Sequence, residues 1–141
     1  MIEFIPYEKR YKYPHMAPLD VAIWERFIEA NPDIFQVVSY DVPVGEGAAF
    51  DTIIDADKNS DANRLYQRKI DVVGRKDGKF FVVEVKPRAS TSAIGQVKGY
   101  VTLFKRDYTI NEPVFPMIVT DQLMPDMEFL AKDSGVNLVV A

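Results

Sequence analysis

Apolar residues recur along the chain with two periods, and the period separates predicted helices from predicted strands. Apolar residues that return every three or four positions predict helices over 19–30, 92–106 and 127–132. Alternating or continuous apolar runs predict strands instead. These runs lie at 35–44, 66–75, 79–86, 114–120 and 136–140. The predicted order is α-β-β-β-α-β-α-β, a mixed sheet covered by helices, and the fold class is α/β.

Two of the predicted helices have an inward face and an end signal. Asn31-Pro32 ends the first helix, and Ser92 is the predicted cap of the second. The residues predicted to face inward are Val21, Ile23, Trp24, Phe27 and Ile28 in the first helix and Ile94, Val97, Val101 and Phe104 in the second.

The strands at 66–75 and 79–86 form a predicted hairpin whose turn sets their register. Asp77-Gly78 favours a type I′ turn because both residues tolerate a positive φ angle. With that turn Asp71 faces Glu84, and directly opposed side chains project to one face with their Cβ atoms about 4.5–5.5 Å apart. The strand period of two brings Lys86 to the same face. We therefore predict that Asp71, Glu84 and Lys86 share one solvent-reachable cleft.

Two ionised carboxylates at this spacing repel each other by roughly 3 kcal/mol at an effective dielectric constant near 20. A divalent cation can neutralise them, and magnesium is typically held by one or two carboxylates while it keeps waters and binds substrate phosphate oxygens. The alternative is a charge network without metal, in which Lys69 and Lys86 offset Asp71 and Glu84. The hairpin by itself does not decide between a metal site and a charge network without metal.

Charge is distributed unevenly along the 141 residues, whose net charge is −4. From Arg64 to Arg106 there are eleven Lys/Arg and three Asp/Glu, whereas the remainder carries six basic and eighteen acidic residues. Positive charge around the carboxylate hairpin suits a phosphate-bearing polyanion. We expect Lys69, Arg88 and Lys98 of this segment to contact nucleic acid.

Composition excludes several classes of protein. The chain has no cysteine, which excludes disulfides, thiol catalysis and cysteine zinc sites. No apolar run approaches the roughly 20 residues of a membrane span. The first ten residues also lack the layout of a signal peptide. We therefore expect a cytoplasmic protein with no membrane partner.

Two segments lie outside the predicted sheet. Residues 1–17 form an irregular arm rich in tyrosine and basic residues, which we expect to pack on its own domain or on a second subunit; gripping nucleic acid is the alternative. Residues 48–65 are predicted to be a polar insertion at the edge of a cleft. Its acids from Asp55 onwards resemble a calcium loop, but Ser60 replaces the required glycine and Tyr66 the required glutamate.

Four elements in order resemble the PD-(D/E)XK nuclease superfamily. They are W-E-R-F-I-E-A-N-P at 24–32, Asp71, E-V-K at 84–86 and Q-V-K-G-Y at 96–100. The run from Lys69 to Lys86, followed by A-I-G-Q-V-K-G-Y-V, is most similar to the catalytic domain of NucS-type endonucleases, and the Q-x-x-x-Y spacing is shared with RecB-type nucleases. The resemblance covers about residues 19–106.

Three features depart from the family pattern. The proline of the superfamily name is absent before Asp71. The sequence contains no counterpart of the separate N-terminal DNA-binding domain of NucS-type enzymes, and the insertion at 48–65 matches no family element that we recognise. The resemblance therefore bears on the chemistry more than on the substrate or the cleavage polarity.

The resemblance implies a restriction-endonuclease-like α-β-β-β-α-β core in a single domain over residues 1–141. It implies that Asp71, Glu84 and the Val85 carbonyl bind Mg²⁺ or Mn²⁺, with no other small-molecule cofactor. Lys86 would position or deprotonate the attacking water. The catalytic residues implied are Asp71, Glu84, Lys86, Gln96, Tyr100 and Glu25, of which Glu25 would hold the metal through water and Gln96 and Tyr100 would orient the lysine and contact the DNA backbone.

The implied function is that of a metal-dependent DNA endonuclease in repair, recombination or the processing of phage and host DNA, acting with the nucleoid or viral DNA. The alternatives are an exonuclease, an RNA-directed nuclease, and a non-cleaving nucleic-acid binding or assembly module of the same fold. We expect a homodimer, because two copies can place two sites on opposite strands. The arm at 7–13 and the apolar strand at 137–140 are the predicted contacts.

Overall fold

Six strands form one mixed sheet in the computed structural model of the protein, which describes residues 2–46 and 67–141. The strands are β1 (Ile5–Pro6), β2 (Val37–Val44), β3 (Arg68–Lys76), β4 (Lys79–Ala89), β5 (Val114–Leu123) and β6 (Asn137–Val140). The helices are α1 (Pro18–Ala30), α2 (Thr91–Asp107) and α3 (Met127–Asp133). Strand order follows chain order, antiparallel from β1 to β4 and parallel from β4 to β6. The predicted α/β fold and element order are confirmed.

Three details differ from the expectation. The arm contributes a short strand, β1, which pairs with the start of β2. Helix α2 begins at Thr91 with Ser90 at its N-cap, and the Ser92 hydroxyl contacts the Ser90 hydroxyl at 2.9 Å instead of capping the helix. The predicted inward residues of the two helices are buried except Val21 and Val101, which are half-buried at the margins of the packed faces.

The β3–β4 hairpin has the predicted turn and register. Asp77 and Gly78 have φ angles of 50° and 76°, as a type I′ turn requires. The side chain of Gln36, the residue just before β2, hydrogen bonds to Asp77 and supports the turn. The Cα partners Lys76–Lys79, Val73–Val82 and Val72–Val83 have the predicted register.

Helices cover both faces of the sheet. On one face α1 packs Trp24 and Phe27 against the strands. On the other face α2 and α3 pack Phe104 and Met127. The central strands are therefore buried on both sides, which explains their nearly continuous apolar runs. Within the described residues no helix is both long and apolar enough to cross a bilayer.

The arm packs on its own domain. The Tyr7 hydroxyl donates to the Asn31 carbonyl at 2.7 Å, and the Tyr7 ring contacts Trp24 and Phe35 edge-on. Tyr13 is buried beside Tyr40. The predicted insertion at 48–65 lies outside the described residues.

Gly74 of β3 provides the space that a buried ring needs. A Cβ atom at this position would lie 2.6–2.8 Å from three carbons of the Phe35 ring. That ring is buried and has Tyr7, Phe27 and Phe81 as neighbouring rings, so a shift away from the added methyl would disturb these contacts.

We expect Gly74→Ala to lower the free energy of unfolding by about 1–3 kcal/mol, because the added methyl overpacks a rigid aromatic cluster. Urea denaturation measures the change. Gly95→Ala is the matched control, since its methyl meets no atom within 4 Å and lies in a helix that alanine favours. Equal effects of the two substitutions would contradict this account of Gly74.

Candidate active site

The backbone ladder between β3 and β4 stops one residue before the two predicted carboxylates. Its last pair is Val72–Val83. Beyond this pair, carboxylate oxygens accept hydrogen bonds from the backbone N–H groups. The Asp71 N–H donates to Glu84 Oε1 at 3.4 Å, and the Val85 N–H donates to Asp71 Oδ2 at 2.9 Å. The charge of the Asp71 carboxyl group also acts on Glu84 and raises the pKa of that side chain. Asp71 and Glu84 are therefore direct neighbours.

The strands change face at the level of Asp71. Ile70 packs in the core under α2, whereas Val72 packs in the core under α1, although residues two apart in a regular strand share a face. A similar change occurs on β2 at Asp41, which lies between the paired residues of β2 and β3, opposite Asp71, and has a φ angle of 55°. This local twist lets residues from both helix layers approach the carboxylate pair.

Burial makes the ionised form of this pair costly. Glu84 is only 3% exposed, and burial together with the charge of Asp71 raises its pKa to about 8. Burial is also the main cause that raises the pKa of Asp71, and the charge of Asp20 adds to it. The positive charge of Lys86 opposes both shifts.

The described part of the chain supplies no ion pair for these acids. No ammonium or guanidinium group among the described residues lies within 4 Å of the Asp71 or Glu84 oxygens. Lys69 instead lies 3.8 Å from Asp41. A charge network of Lys69 and Lys86 around Asp71 and Glu84 is therefore only partly present. Lys86 acts on the two acids from beyond ion-pair distance, and Lys69 lies beside Asp41 instead.

Asp20, rather than Glu25, is the acid of α1 that approaches the pair. The charge of Asp20 raises the pKa of Asp71, and Lys86 acts on Asp20 in turn. Glu25 accepts a hydrogen bond from the Tyr13 hydroxyl at 3.0 Å and is not brought to this group. Five residues along a helix rotate a side chain by about 140° and shift it by about 7.5 Å, so the two acids cannot face one site.

The sequence contains a signal that marks Asp20 as a candidate site residue. It lies four residues before Trp24 and seven before Phe27, in line with the buried face of α1. An acid in line with a buried apolar stripe is unusual, and it marks a position where the helix faces polar groups.

Gln96 and Tyr100 approach the carboxylates from the α2 layer. Gln96 Nε2 donates to the Tyr100 hydroxyl at 3.0 Å, as their spacing of four predicts. Tyr100 is buried, and its pKa is raised by burial first and then by the charges of Glu84 and Asp71. Arg68 opposes that shift, so it also lies near this group. Sequence reasoning missed Arg68, for which the only signal is its place in the basic segment.

The three basic residues predicted to contact nucleic acid occupy different places. Lys69 lies on β3 beside Asp41. Arg88 is exposed near the end of β4, where it pairs with Gln122 of β5. Lys98 is exposed on α2, about 200° around the helix from Gln96, so it points away from the carboxylates.

The donor set fits a hard divalent cation. Two carboxylates lie together, that of Glu84 buried and that of Asp71 half-buried, and Val85 with its backbone carbonyl lies between Glu84 and Lys86 in the sequence. Within 2–46 and 67–141, no three His, Asp or Glu side chains converge into a ready cage. An ion here would bind Asp71 and Glu84 and complete its shell with a carbonyl, waters or a phosphate, which is typical of magnesium.

The chain matches the sequence model of the family described as the endonuclease NucS C-terminal domain over residues 63–140. This range is more than half of the chain and contains Asp71, Glu84, Lys86, Gln96 and Tyr100. No curated protein sequence matches the chain.

Solved structures show a similar fold. A repair endonuclease from Pyrococcus abyssi is 21% identical, with a TM-score of 0.50 over 95% of this chain and 49% of that one. A protein of unknown function, AF1548, is 12% identical, with a TM-score of 0.51 over 85% of this chain and 56% of that one. The apo form of EndoMS is 28% identical over 50% of this chain and 33% of its own length, with a TM-score of 0.41.

The chain thus spans between a third and somewhat more than half of the length of each of these relatives. At the identities of the first two, their likeness concerns the fold alone. The match to the family model covers β3 to β6 and every predicted catalytic residue except Glu25, and on that basis the chain belongs to the endonuclease NucS C-terminal domain family.

Proposed function

We propose that this protein is a metal-dependent DNA endonuclease that hydrolyses phosphodiester bonds in DNA repair, recombination or the processing of phage and host DNA. The observation that carries the proposal is the contact between Asp71 and Glu84, two acids without an ion-paired cation in the described chain, in a domain of the NucS family. We further propose that it acts in the cytoplasm, on the nucleoid or on viral DNA.

In this proposal Asp71, Glu84 and the Val85 carbonyl hold Mg²⁺ or Mn²⁺. The bound ion would lower the pKa of a water and neutralise charge that develops on the phosphate. Their close contact supports this role, because the repulsion between two adjacent carboxylates is relieved only by a proton or a cation.

Lys86 supplies a positive charge that acts on Asp20, Asp71 and Glu84 alike and lowers the pKa of each. We assign it to position or deprotonate the attacking water and to stabilise the phosphate in the transition state. Asp20 replaces Glu25 as the α1 acid in this scheme. Gln96 and Tyr100 would orient the lysine and contact the DNA backbone, with Arg68 and Lys69 as further phosphate contacts.

The alternatives remain an exonuclease, an RNA-directed nuclease and a non-cleaving binding module. The raised pKa of Glu84 argues against a purely structural module, because a buried acid pair lowers stability and two apolar residues would pack there at less cost. A panel of duplex, single-stranded, branched and mismatched DNA, together with RNA, distinguishes the nuclease classes.

We expect magnesium or manganese to support DNA cleavage, EDTA to abolish it and calcium to bind with little turnover, because calcium takes a looser shell. Asp71→Asn, Glu84→Gln and Lys86→Met should each lower the single-turnover rate by about 10²-fold or more. Asp20→Asn should lower it as well, whereas Glu25→Gln, the matched change on the same helix, should not. Undiminished cleavage in EDTA would refute the metal proposal.

Metal-free stability should fall as pH rises. The raised pKa values of Asp71 and Glu84 mean that the folded state holds protons that the unfolded state releases. The protonated pair contributes its full stability below the ordinary pKa values of the two acids, 3.8 for Asp71 and 4.5 for Glu84. This contribution is lost as pH rises through the raised pKa of Glu84, about 8. We expect urea unfolding in EDTA to show this fall between pH 5 and 8. Glu84→Gln should flatten it, and Mg²⁺ should restore stability at pH 8; a pH-independent wild type would contradict the assignment.

We also propose that the protein forms a homodimer through the outer edge of β6. The strand pairs only with β5 in the described chain, and Val140 and Phe129 nearby are 55% and 72% exposed. The arm is a weaker candidate, because Tyr7 and Tyr13 are engaged within the domain.

Light scattering at micromolar concentration, with and without DNA, measures this association. We expect a dimer mass for the wild type and a monomer mass for Val140→Asp, because a buried charge would oppose strand pairing. A wild-type chain that stays monomeric with DNA would refute the dimer and favour a nicking or end-trimming enzyme.

A further inference from the structure

Tyr11 is a large aromatic side chain that contacts nothing in the described chain. Its ring is fully exposed, in contrast to the half-buried Tyr7 before it and the buried Tyr13 after it. An isolated exposed tyrosine forms no apolar patch with which a protein partner would pack. It does offer a face on which a flat ring can stack.

The loop that carries Tyr11 is held in place by its neighbours. The Arg10 N–H donates to the Tyr13 hydroxyl at 2.9 Å, and that hydroxyl donates to Glu25. Arg10 also donates to the Pro6 carbonyl at 3.0 Å. Tyr11 is therefore presented from a braced loop, so that a ligand need not order the backbone when it binds.

The loop is also positively charged. Residues 8–13 contain three basic side chains and one acid, Glu8. Lys9 forms an ion pair with Glu29, and Arg10 lies 3.6 Å from Glu8, so both charges are partly offset. Lys12 has no such partner within 2–46 and 67–141, and its exposed ammonium stands next to Tyr11 in the chain.

The arm leads from this loop to Asp41, which neighbours the carboxylate group on β2. His15 Nε2 lies 3.3 Å from Asp41 Oδ2, and Asp41 lies opposite Asp71 on the neighbouring strand. Adjacent strands are about 4.8 Å apart, so His15 is roughly 10 Å from the site, or about three base pairs of duplex rise. Asp20 then follows at the start of α1, beside Lys86.

We propose that the loop of residues 10–13 binds the DNA strand next to the cleavage position, with an unstacked base on the Tyr11 ring and a phosphate on Lys12. Base stacking on an aromatic ring with a cation beside it is how proteins hold single-stranded nucleic acid. The inference rests on the proposed nuclease function. It adds a contact between the DNA strand and the arm, outside the carboxylate group.

The test compares wild type with Tyr11→Phe, Tyr11→Leu, Tyr11→Ala and Lys12→Ala. Binding and single-turnover cleavage are measured on fully paired DNA and on DNA with a short single-stranded stretch beside the cut, which carries 2-aminopurine as a fluorescent base. Lys105→Ala, an exposed lysine in the last turn of α2, is the charge control. Because Tyr11 is fully exposed, thermal unfolding should be unchanged in its variants.

We expect wild type and Tyr11→Phe to quench the fluorescent base and to bind the partly single-stranded DNA equally. Tyr11→Ala and Tyr11→Leu should lose the quenching and about 5- to 150-fold in affinity for that DNA, with less effect on fully paired DNA. Lys12→Ala should weaken binding to both DNAs and lower its salt dependence, unlike Lys105→Ala.

The outcomes separate this inference from the proposed function. If wild type cuts DNA and Tyr11→Ala binds and cuts equally well, the loop inference is overturned and the nuclease stands. Binding and cleavage by Tyr11→Leu at the wild-type level would show that no base stacks on the Tyr11 ring and would overturn the loop inference. A Tyr11→Ala chain that changes only its solution mass would assign the loop to a second copy and overturn the inference. If wild type neither binds nor cuts any DNA of the panel, both the loop inference and the proposed nuclease function are refuted.

Discussion

The contact between the buried side chain of Glu84 and the half-buried side chain of Asp71 is the constraint on which the rest of this structure depends. Asp71 and Glu84 stand where the β3–β4 ladder ends, and each accepts a backbone N–H that a regular ladder would have used. These bonds hold the acids together, while burial and mutual repulsion make their joint ionisation costly. The fold therefore maintains a pair that is relieved by protonation or by a cation, which is the physical basis of the proposed metal site.

The helix layers on the two faces of the sheet each bring polar side chains towards Asp71 and Glu84. Asp20 reaches it from α1, and the hydrogen-bonded Gln96 and Tyr100 reach it from α2. In a regular sheet a pair of side chains would face only one of these layers. The change of face at Asp41 and Asp71 removes that restriction, and the positive φ angle of Asp41 is the local strain that accompanies it.

Much of the fold could be predicted from local physics. Asp77-Gly78 allowed one tight turn, and that turn determined the hairpin register down to Val72–Val83. The helical and strand periods of the apolar residues placed the described helices and the five longer strands, because burial on one or two faces leaves a period in the sequence. The short strand β1 was missed, since Ile5–Pro6 is too brief to carry any period.

By itself, then, the sequence determined the α/β fold, the hairpin and the meeting of Asp71 with Glu84, because each follows from neighbours along one strand or across one turn. Only the tertiary structure decided that Asp20 and not Glu25 joins them, that Lys69 serves Asp41, and that Tyr11 alone of the three arm tyrosines is exposed. These choices depend on how a helix is rotated and how the arm lies against β2. Rotation and docking are set by the packing of distant segments, which leaves no period and no spacing to be read along the chain.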